Sequence, residues 1–375
     1  MTFKLPPPPS IEKGKRMECK SEVGRLAVET DEAIYEIEFG QVQIEITGRC
    51  NMRCEHCRAA QEVPKDMDIG EIVKVIRFAR QFSPNYKEIV VSGGEPLLHG
   101  EFPSVLQAVR QNGGDFVTLT TNGSLISERY LDIIESLGFE RFILSVSLDS
   151  LNPEEHDSFR GFRGAWEQAI KAVTMIVKRN LPNVMTSVRT TLRPHQIGQM
   201  AEIVDFVHDL GCKRSSLSSI HPAGRSIERP DLWMSKEQKK LFIETIYSLK
   251  DRHKDFQVST NDPLKCLLRG YSDVGEENEL VFDGCAAAAV TFNISADGTM
   301  TPCALLNIPI TNITGKSIGE ITEKYQQSEL VKNMLDMNLR GKCGECEKKY
   351  QCGGCRARAL IRKGHYLEED PDCWL

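Results

Sequence analysis

The chain has 375 residues, 40% of them hydrophobic and 27% charged, with a formal net charge of -6. Such a length suits two domains or one large domain with an appendage. The negative balance, with Lys and Arg spread along the chain, offers no platform for phosphate backbones and argues against nucleic-acid binding.

The opening Met-Thr-Phe-Lys-Leu, four prolines and a serine hold no apolar run long enough for a signal peptide or a membrane span, so a cytoplasmic protein without membrane contact is expected. Residues 1–40 form an N-terminal segment in which 23–39 reads as a hairpin. From residue 42 onward β-like runs alternate with amphipathic helical stretches, the pattern of βα units around a parallel sheet. Strands are expected at 42–47, 88–92, 116–121, 141–147, 184–192 and 214–220, with helices near 70–82, 101–112, 126–137, 164–179 and 196–210. This is an α/β chain, and six strands suggest a partial (β/α)6 barrel over 41–230. Periodicity alone does not separate that barrel from an open doubly wound sheet. A linking helical region, with a helix near 235–252, fills 231–280, and a cysteine-rich module follows over 281–375.

Ten of the thirteen cysteines fall into two groups, and in a large chain such clustering reads as metal binding or catalysis rather than a disulfide scaffold. Cys50, Cys54 and Cys57 directly follow the first expected strand. Thiolates select zinc or iron–sulfur centres over hard cations. A [4Fe–4S] cluster normally takes four thiolates, so a local set of three leaves one iron open for chemistry. The alternative is a zinc knuckle that takes His56 as fourth ligand. The next strand ends carry Gly93-Gly94-Glu95-Pro96, Thr121-Asn122-Gly123 and Ser147-Leu148-Asp149, where α/β folds place their sites. Each alone is a common turn sequence; together they converge on one mouth. Glycines at 93 and 94 allow the backbone close to a ligand. Arg189 and Ser218, on the fifth and sixth strands, are candidates to complete the pocket, and Arg189 has an internal carboxylate as its alternative partner.

The distal group runs Cys285, Gly298-x4-Cys303, Cys343-x2-Cys346-x5-Cys352-x2-Cys355 and Cys373. Seven thiols exceed one tetrahedral site and fall one short of two four-ligand sites. The five-residue gap between the Cys343 and Cys352 pairs is too short for a zinc ribbon. Cys266, upstream, either completes a site or is a small buried hydrophobe.

The spacing Cys50-x3-Cys54-x2-Cys57 together with Gly93-Gly94-Glu95-Pro96 resembles the radical S-adenosylmethionine (radical SAM) enzymes, with His56 where that family usually has an aromatic residue. The distal array resembles their SPASM extension, although only two residues separate Cys352 from Cys355. The resemblance implies a partial (β/α)6 TIM-like barrel with a C-terminal cysteine-rich SPASM domain. It implies three [4Fe–4S] clusters: one on Cys50, Cys54 and Cys57 that binds S-adenosylmethionine, and two auxiliary clusters. Cys285, Cys303 and Cys355 would hold the first auxiliary cluster, with an open iron unless Cys266 closes it, and Cys343, Cys346, Cys352 and Cys373 the second. Gly93, Gly94, Glu95 and Pro96 would meet the methionine end of the cofactor, Ser147 its ribose, and Arg189 its carboxylate or a substrate anion, with Asn122 beside them. The implied activity is reductive cleavage of S-adenosylmethionine to a 5′-deoxyadenosyl radical that abstracts hydrogen from a substrate carbon, fed by an electron donor such as flavodoxin or ferredoxin. A ribosomally made peptide, crosslinked, oxidised or epimerised, is the favoured substrate. The alternative is a small molecule, a tetrapyrrole or an aminoglycoside-type sugar, that is oxidised, epimerised or decarboxylated. The short N-terminal segment weighs against a peptide-recognition domain, and Cys57-Arg58-Ala59 resembles haem-pathway members.

Overall fold

The computed structural model describes residues 26–59, 63–82, 88–253, 255–268 and 284–375. Its strands are β1 (Leu26–Glu29), β2 (Ile34–Ile37), β3 (Gln41–Glu45), β4 (Glu88–Ser92), β5 (Phe116–Thr121), β6 (Arg141–Ser147), β7 (Val184–Leu192), β8 (Arg214–Ser219), β9 (Gln257–Ser259), β10 (Thr291–Ile294), β11 (Thr299–Thr301) and β12 (Thr311–Asn312). The helices are α1 (Ile69–Gln81), α2 (Phe102–Gln111), α3 (Glu128–Leu137), α4 (Pro153–Arg160), α5 (Ala165–Arg179), α6 (Met200–Asp209), α7 (Lys236–Arg252), α8 (Ile318–Gln326), α9 (Glu329–Leu335), α10 (Gly341–Glu345), α11 (Lys349–Cys352) and α12 (Arg356–Lys363).

The six expected barrel strands are β3 to β8, with ends within two residues of the sequence reading, and β1 pairs antiparallel with β2 as a hairpin. All neighbours from β3 to β9 pair in parallel and in chain order. Near-continuous burial along β6 and β7 is what a parallel sheet covered on both faces demands. The helices follow from local chemistry. In α1, Asp68 caps the first turn by accepting from the Gly70 N–H at 2.7 Å, and Ile72, Val75, Ile76, Phe78 and Ala79 form one buried stripe. Ser235 and Gln238 form a reciprocal capping box at the start of α7.

The cysteine-rich part does not stand off as a separate sheet. β10 pairs in parallel with β3, and β11 and β12 extend that edge antiparallel, so one ten-stranded sheet runs β12-β11-β10-β3-β4-β5-β6-β7-β8-β9. Both open edges of the six-strand set are thereby covered, β8 by β9 and β3 by β10, which removes unpaired backbone groups. Phe39, Phe78, Phe292 and Tyr325 pack edge-on or tilted at 4.7–5.8 Å and tie β10 and α8 to the barrel core. Among the described residues no helix is long and apolar enough to cross a membrane.

Candidate active site

The loop after β3 carries Cys50, Cys54 and Cys57, and the next strand-end turns are bonded directly to it. Gly94 N–H donates to the Thr47 carbonyl at 2.7 Å and Glu95 N–H to the Arg49 carbonyl at 2.8 Å. A Cβ on Gly93 would overlap the Thr47 carbonyl, and one on Gly94 the Arg49 carbonyl. The sequence reads these glycines as room for a ligand; the close approach seen in the fold is to the cysteine loop itself. Glu95 is fully buried, and its carboxylate accepts from Thr121 Oγ1 at 2.7 Å, Asn122 N at 2.8 Å and Leu97 N at 3.3 Å. Burial still outweighs these donors and pushes its carboxyl up to about 7. Pro96 is buried at the start of a 3₁₀ turn.

Asn122 reaches back to the same loop, donating through Nδ2 to Asn51 Oδ1 at 2.8 Å, while Asn51 Nδ2 donates to Ser124 Oγ at 2.9 Å. Ser147 ends β6, and its register partner Arg189 lies within the second half of β7, which runs on to Leu192. Among the described residues the Arg189 guanidinium makes no ion pair, and burial together with the like charge of Arg58 lowers its pKa. Ser218 turns its hydroxyl to the Ser219 carbonyl at 3.3 Å.

Burial pushes the Cys50 thiol up to about 11 and also raises Cys54, which Arg160 partly offsets. Such thiols ionise when a metal takes the place of the proton. Cys50 Sγ accepts from the Met52 N–H at 3.4 Å, and Cys54 Sγ faces Arg160 Nη1 at 3.8 Å. His56 stacks on Phe159 at 4.5 Å with an interplanar angle of 17°, and burial lowers its pKa to about 3. Its ring fills the position of an aromatic residue against Phe159. Among the described residues no three His, Cys, Asp or Glu side chains converge as a single-ion site. The three thiols of the loop match the donor number that a [4Fe–4S] cluster with one open iron would take.

The distal thiols form two overlapping neighbourhoods, with Cys285 beside Cys352 as well. Cys285 is the shared electrostatic neighbour of Cys303 and Cys355. Cys303 Sγ accepts from Leu306 N at 3.3 Å, and His221 Nδ1 lies 3.8 Å from Cys355 Sγ. Cys343, Cys352 and Cys373 are mutual neighbours, with Cys346 at the end of α10. Cys343 Sγ accepts from Asp370 N at 3.4 Å, and Cys352 Sγ from Gly354 N at 3.4 Å. N–H donors aimed at sulfur are the usual surroundings of iron–sulfur ligands, so both thiol groups fit clusters. Cys266 is fully buried, contacts Cys352 and packs with Cys373 and Trp374; it stands with the second group rather than over the open position of the first.

Two of the features that escaped the sequence reading bear on the thiol sites. The helix α4 was not expected, although Asn152-Pro153 at its start and Gly161 just past its end are legible boundary signals. A buried ionic network also joins the linking region to the cysteine module: Arg358 pairs with Asp262 at 2.8 Å and Asp370 at 2.7 Å, and Lys239 with Asp262 at 2.8 Å. Asp370 in turn accepts from the Cys355 N–H at 2.7 Å.

A parallel partial barrel thus carries three thiols on the loop after β3, with the turns after β4 and β5 bonded to that loop. Residues 44–207 match the Radical SAM superfamily profile; the chain carries this domain and is an enzyme. It is 29% identical over 344 residues to the AdoMet-dependent heme synthase of Methanosarcina barkeri, covering 88% of this chain and 94% of that one. It is 25% identical to the antilisterial bacteriocin subtilosin biosynthesis protein AlbA of Bacillus subtilis, over 84% of this chain and 67% of that one. Among solved structures, Streptococcus suis SuiB bound to precursor peptide SuiA superposes with a TM-score of 0.73 at 18% identity, covering 91% of this chain and 77% of that one.

Proposed function

We propose that the enzyme binds a [4Fe–4S] cluster through Cys50, Cys54 and Cys57, and carries two auxiliary clusters on the distal thiols. The substrate we assign is a carboxylate-bearing small molecule of the tetrapyrrole class. The cluster and S-adenosylmethionine supply a 5′-deoxyadenosyl radical when bound. The chain's own part is placement: the rim of Gly93, Gly94, Glu95, Pro96 and Asn122 fixes the cysteine loop, Ser147 and Arg189 receive the ribose and carboxylate ends of the cofactor, and the barrel excludes water. Cys285, Cys303 and Cys355, and separately Cys343, Cys346, Cys352 and Cys373, hold groups able to accept or pass an electron.

The observation that carries the substrate class is the span of the haem-synthase relative, which aligns along nearly the whole of both chains. The sequence alone favours a peptide, and the AlbA relative supports that second reading. Anaerobic reconstitution tests the proposal. Wild type is expected to hold about twelve irons and a Cys50/Cys54/Cys57 triple alanine variant about eight, with 5′-deoxyadenosine formation lost. Near-stoichiometric zinc without cofactor cleavage would overturn the cluster assignment. With a reductant, S-adenosylmethionine and an iron tetrapyrrole carboxylate, loss of carboxylate or gain of unsaturation in the product is expected by mass spectrometry. Turnover of a short precursor peptide and not of the tetrapyrrole would replace this substrate class by the second.

A further inference from the structure

We propose that Arg160 is a positioning residue that holds the Cys54 thiolate and sets the reduction potential of the S-adenosylmethionine-binding cluster. The inference rests on Cys50, Cys54 and Cys57 being the ligands of that cluster. Arg160 is the last residue of α4 and is 8% exposed. One guanidinium nitrogen pairs with Asp149 Oδ2 at 2.5 Å, and the other lies 3.8 Å from Cys54 Sγ. Asp149, just beyond β6 and fully buried, is itself fixed by the Thr191 N–H, which donates to its other oxygen at 2.8 Å. The guanidinium is therefore aimed from a rigid strand end and is not a swinging surface side chain.

The backbone around Arg160 is tied to the same loop. Its carbonyl accepts from Arg53 N–H at 3.1 Å, and the Phe159 carbonyl accepts from Glu55 N–H at 2.9 Å. Gly161, with φ of 61°, sits where a Cβ would meet the Arg53 carbonyl at 2.7 Å. The Phe159 ring is sandwiched by stacking contacts, with His56 at 4.5 Å and the Arg193 guanidinium at 4.5 Å. The end of α4 thus braces the stretch between the first and last cysteines, and the charge of Arg160 falls on the middle one.

A buried guanidinium needs anionic partners on the sides that water cannot reach. Asp149 supplies one, and the Cys54 thiolate supplies the second once iron is bound. Hydrogen bonds to cluster sulfurs and nearby charge shift cluster potentials. A cation beside a thiolate favours the reduced cluster, which carries one more negative charge, and so raises the potential. Removing Arg160 alone also strands the Asp149 carboxylate, which adds to the fall.

The test is an EPR-monitored redox titration of the reconstituted protein, with the signal that changes on adding S-adenosylmethionine used to single out this cluster. Arg160→Gln is expected to disfavour reduction about tenfold, ~59 mV for one electron. Arg160→Lys, which keeps the charge, is expected to recover most of the shift, and Asp149→Asn combined with Arg160→Gln part of it. An Arg160→Gln protein with full iron and wild-type potential overturns the proposal. If Arg160→Gln loses the cluster, full loading of Arg160→Lys supports the positioning role, whereas equal loss in both overturns it as mere fold support. A wild-type protein with no S-adenosylmethionine-responsive signal would instead sink the ligand assignment beneath the proposal.

Discussion

The barrel mouth and the distal cysteine module solve the same problem, holding buried thiols in place, over different sequence distances. At the mouth the three thiols come from one short loop, pinned by neighbouring strand ends through backbone and amide bonds, Gly94 to Thr47, Glu95 to Arg49 and Asn122 to Asn51, with the short-range ion pairs Arg49–Asp66 and Arg58–Glu45 beside them. In the distal module the thiols are drawn from positions between Cys285 and Cys373, and charge does much of the fastening. Asp370 bonds the Cys355 backbone while pairing with Arg358, which in turn grips Asp262 of the linking region. A local loop needs only its neighbours; ligands far apart in sequence need a long-range device, and fully paired buried charges specify such geometry when every partner is present.

The contrast can be broken most strongly at Arg358. Arg358→Met leaves buried Asp370 without its cation and Asp262 with Lys239 alone, so a loss of about 3–5 kcal/mol in denaturant unfolding is expected, with distal irons lost before those of the mouth. Retention of all distal iron would show that the ionic network is dispensable. Gly94→Ala should do the reverse. Its Cβ must displace the Arg49 carbonyl, for a cost of about 1–3 kcal/mol, and iron counts should fall at the mouth alone.

A smaller effect comes from Glu95. Burial raises its folded-state carboxyl to about 7 from 4.5, so the folded protein holds that proton more tightly than the unfolded chain. Its contribution to stability is fully present below pH 4.5 and fades as pH rises through about 7. Glu95→Gln should flatten that segment of the stability profile, and an unchanged slope would show that Glu95 stays ionised throughout. Smallest of all is the exposed cluster on the barrel exterior, where Arg179 meets Glu128, Asp132 and Glu135. Arg179→Ala should leave Tm and both iron pools unchanged, since solvent-exposed pairs contribute little; a drop comparable to that of Arg358→Met would erase the distinction between surface and buried pairing.

Much of the barrel was legible in one dimension because its signals are local. Strands β3 to β8 carry apolar runs bounded by turn residues, and the helices between them carry apolar stripes at helical spacing, so their positions follow from periodicity. The cysteine spacing and the Gly93 to Pro96 turn marked the mouth for the same reason. Strand β9, with three residues, and β10, with four, are too short to show a period, and only pairing with β8 and β3 makes them strands.

By itself, then, the sequence determined the order of βα units, the grouping of thiols and the class of chemistry they serve, all written in neighbouring residues. Tertiary structure alone decided that the barrel sheet continues into the cysteine module, that Cys266 stands beside Cys352, and that Arg160 and Arg358 are buried among carboxylates and thiols. An arginine at a helix end reads identically whether it faces water or a thiolate; only the long-range packing that brings α4 over the cysteine loop, and α12 against Asp262, gives each charge its partner.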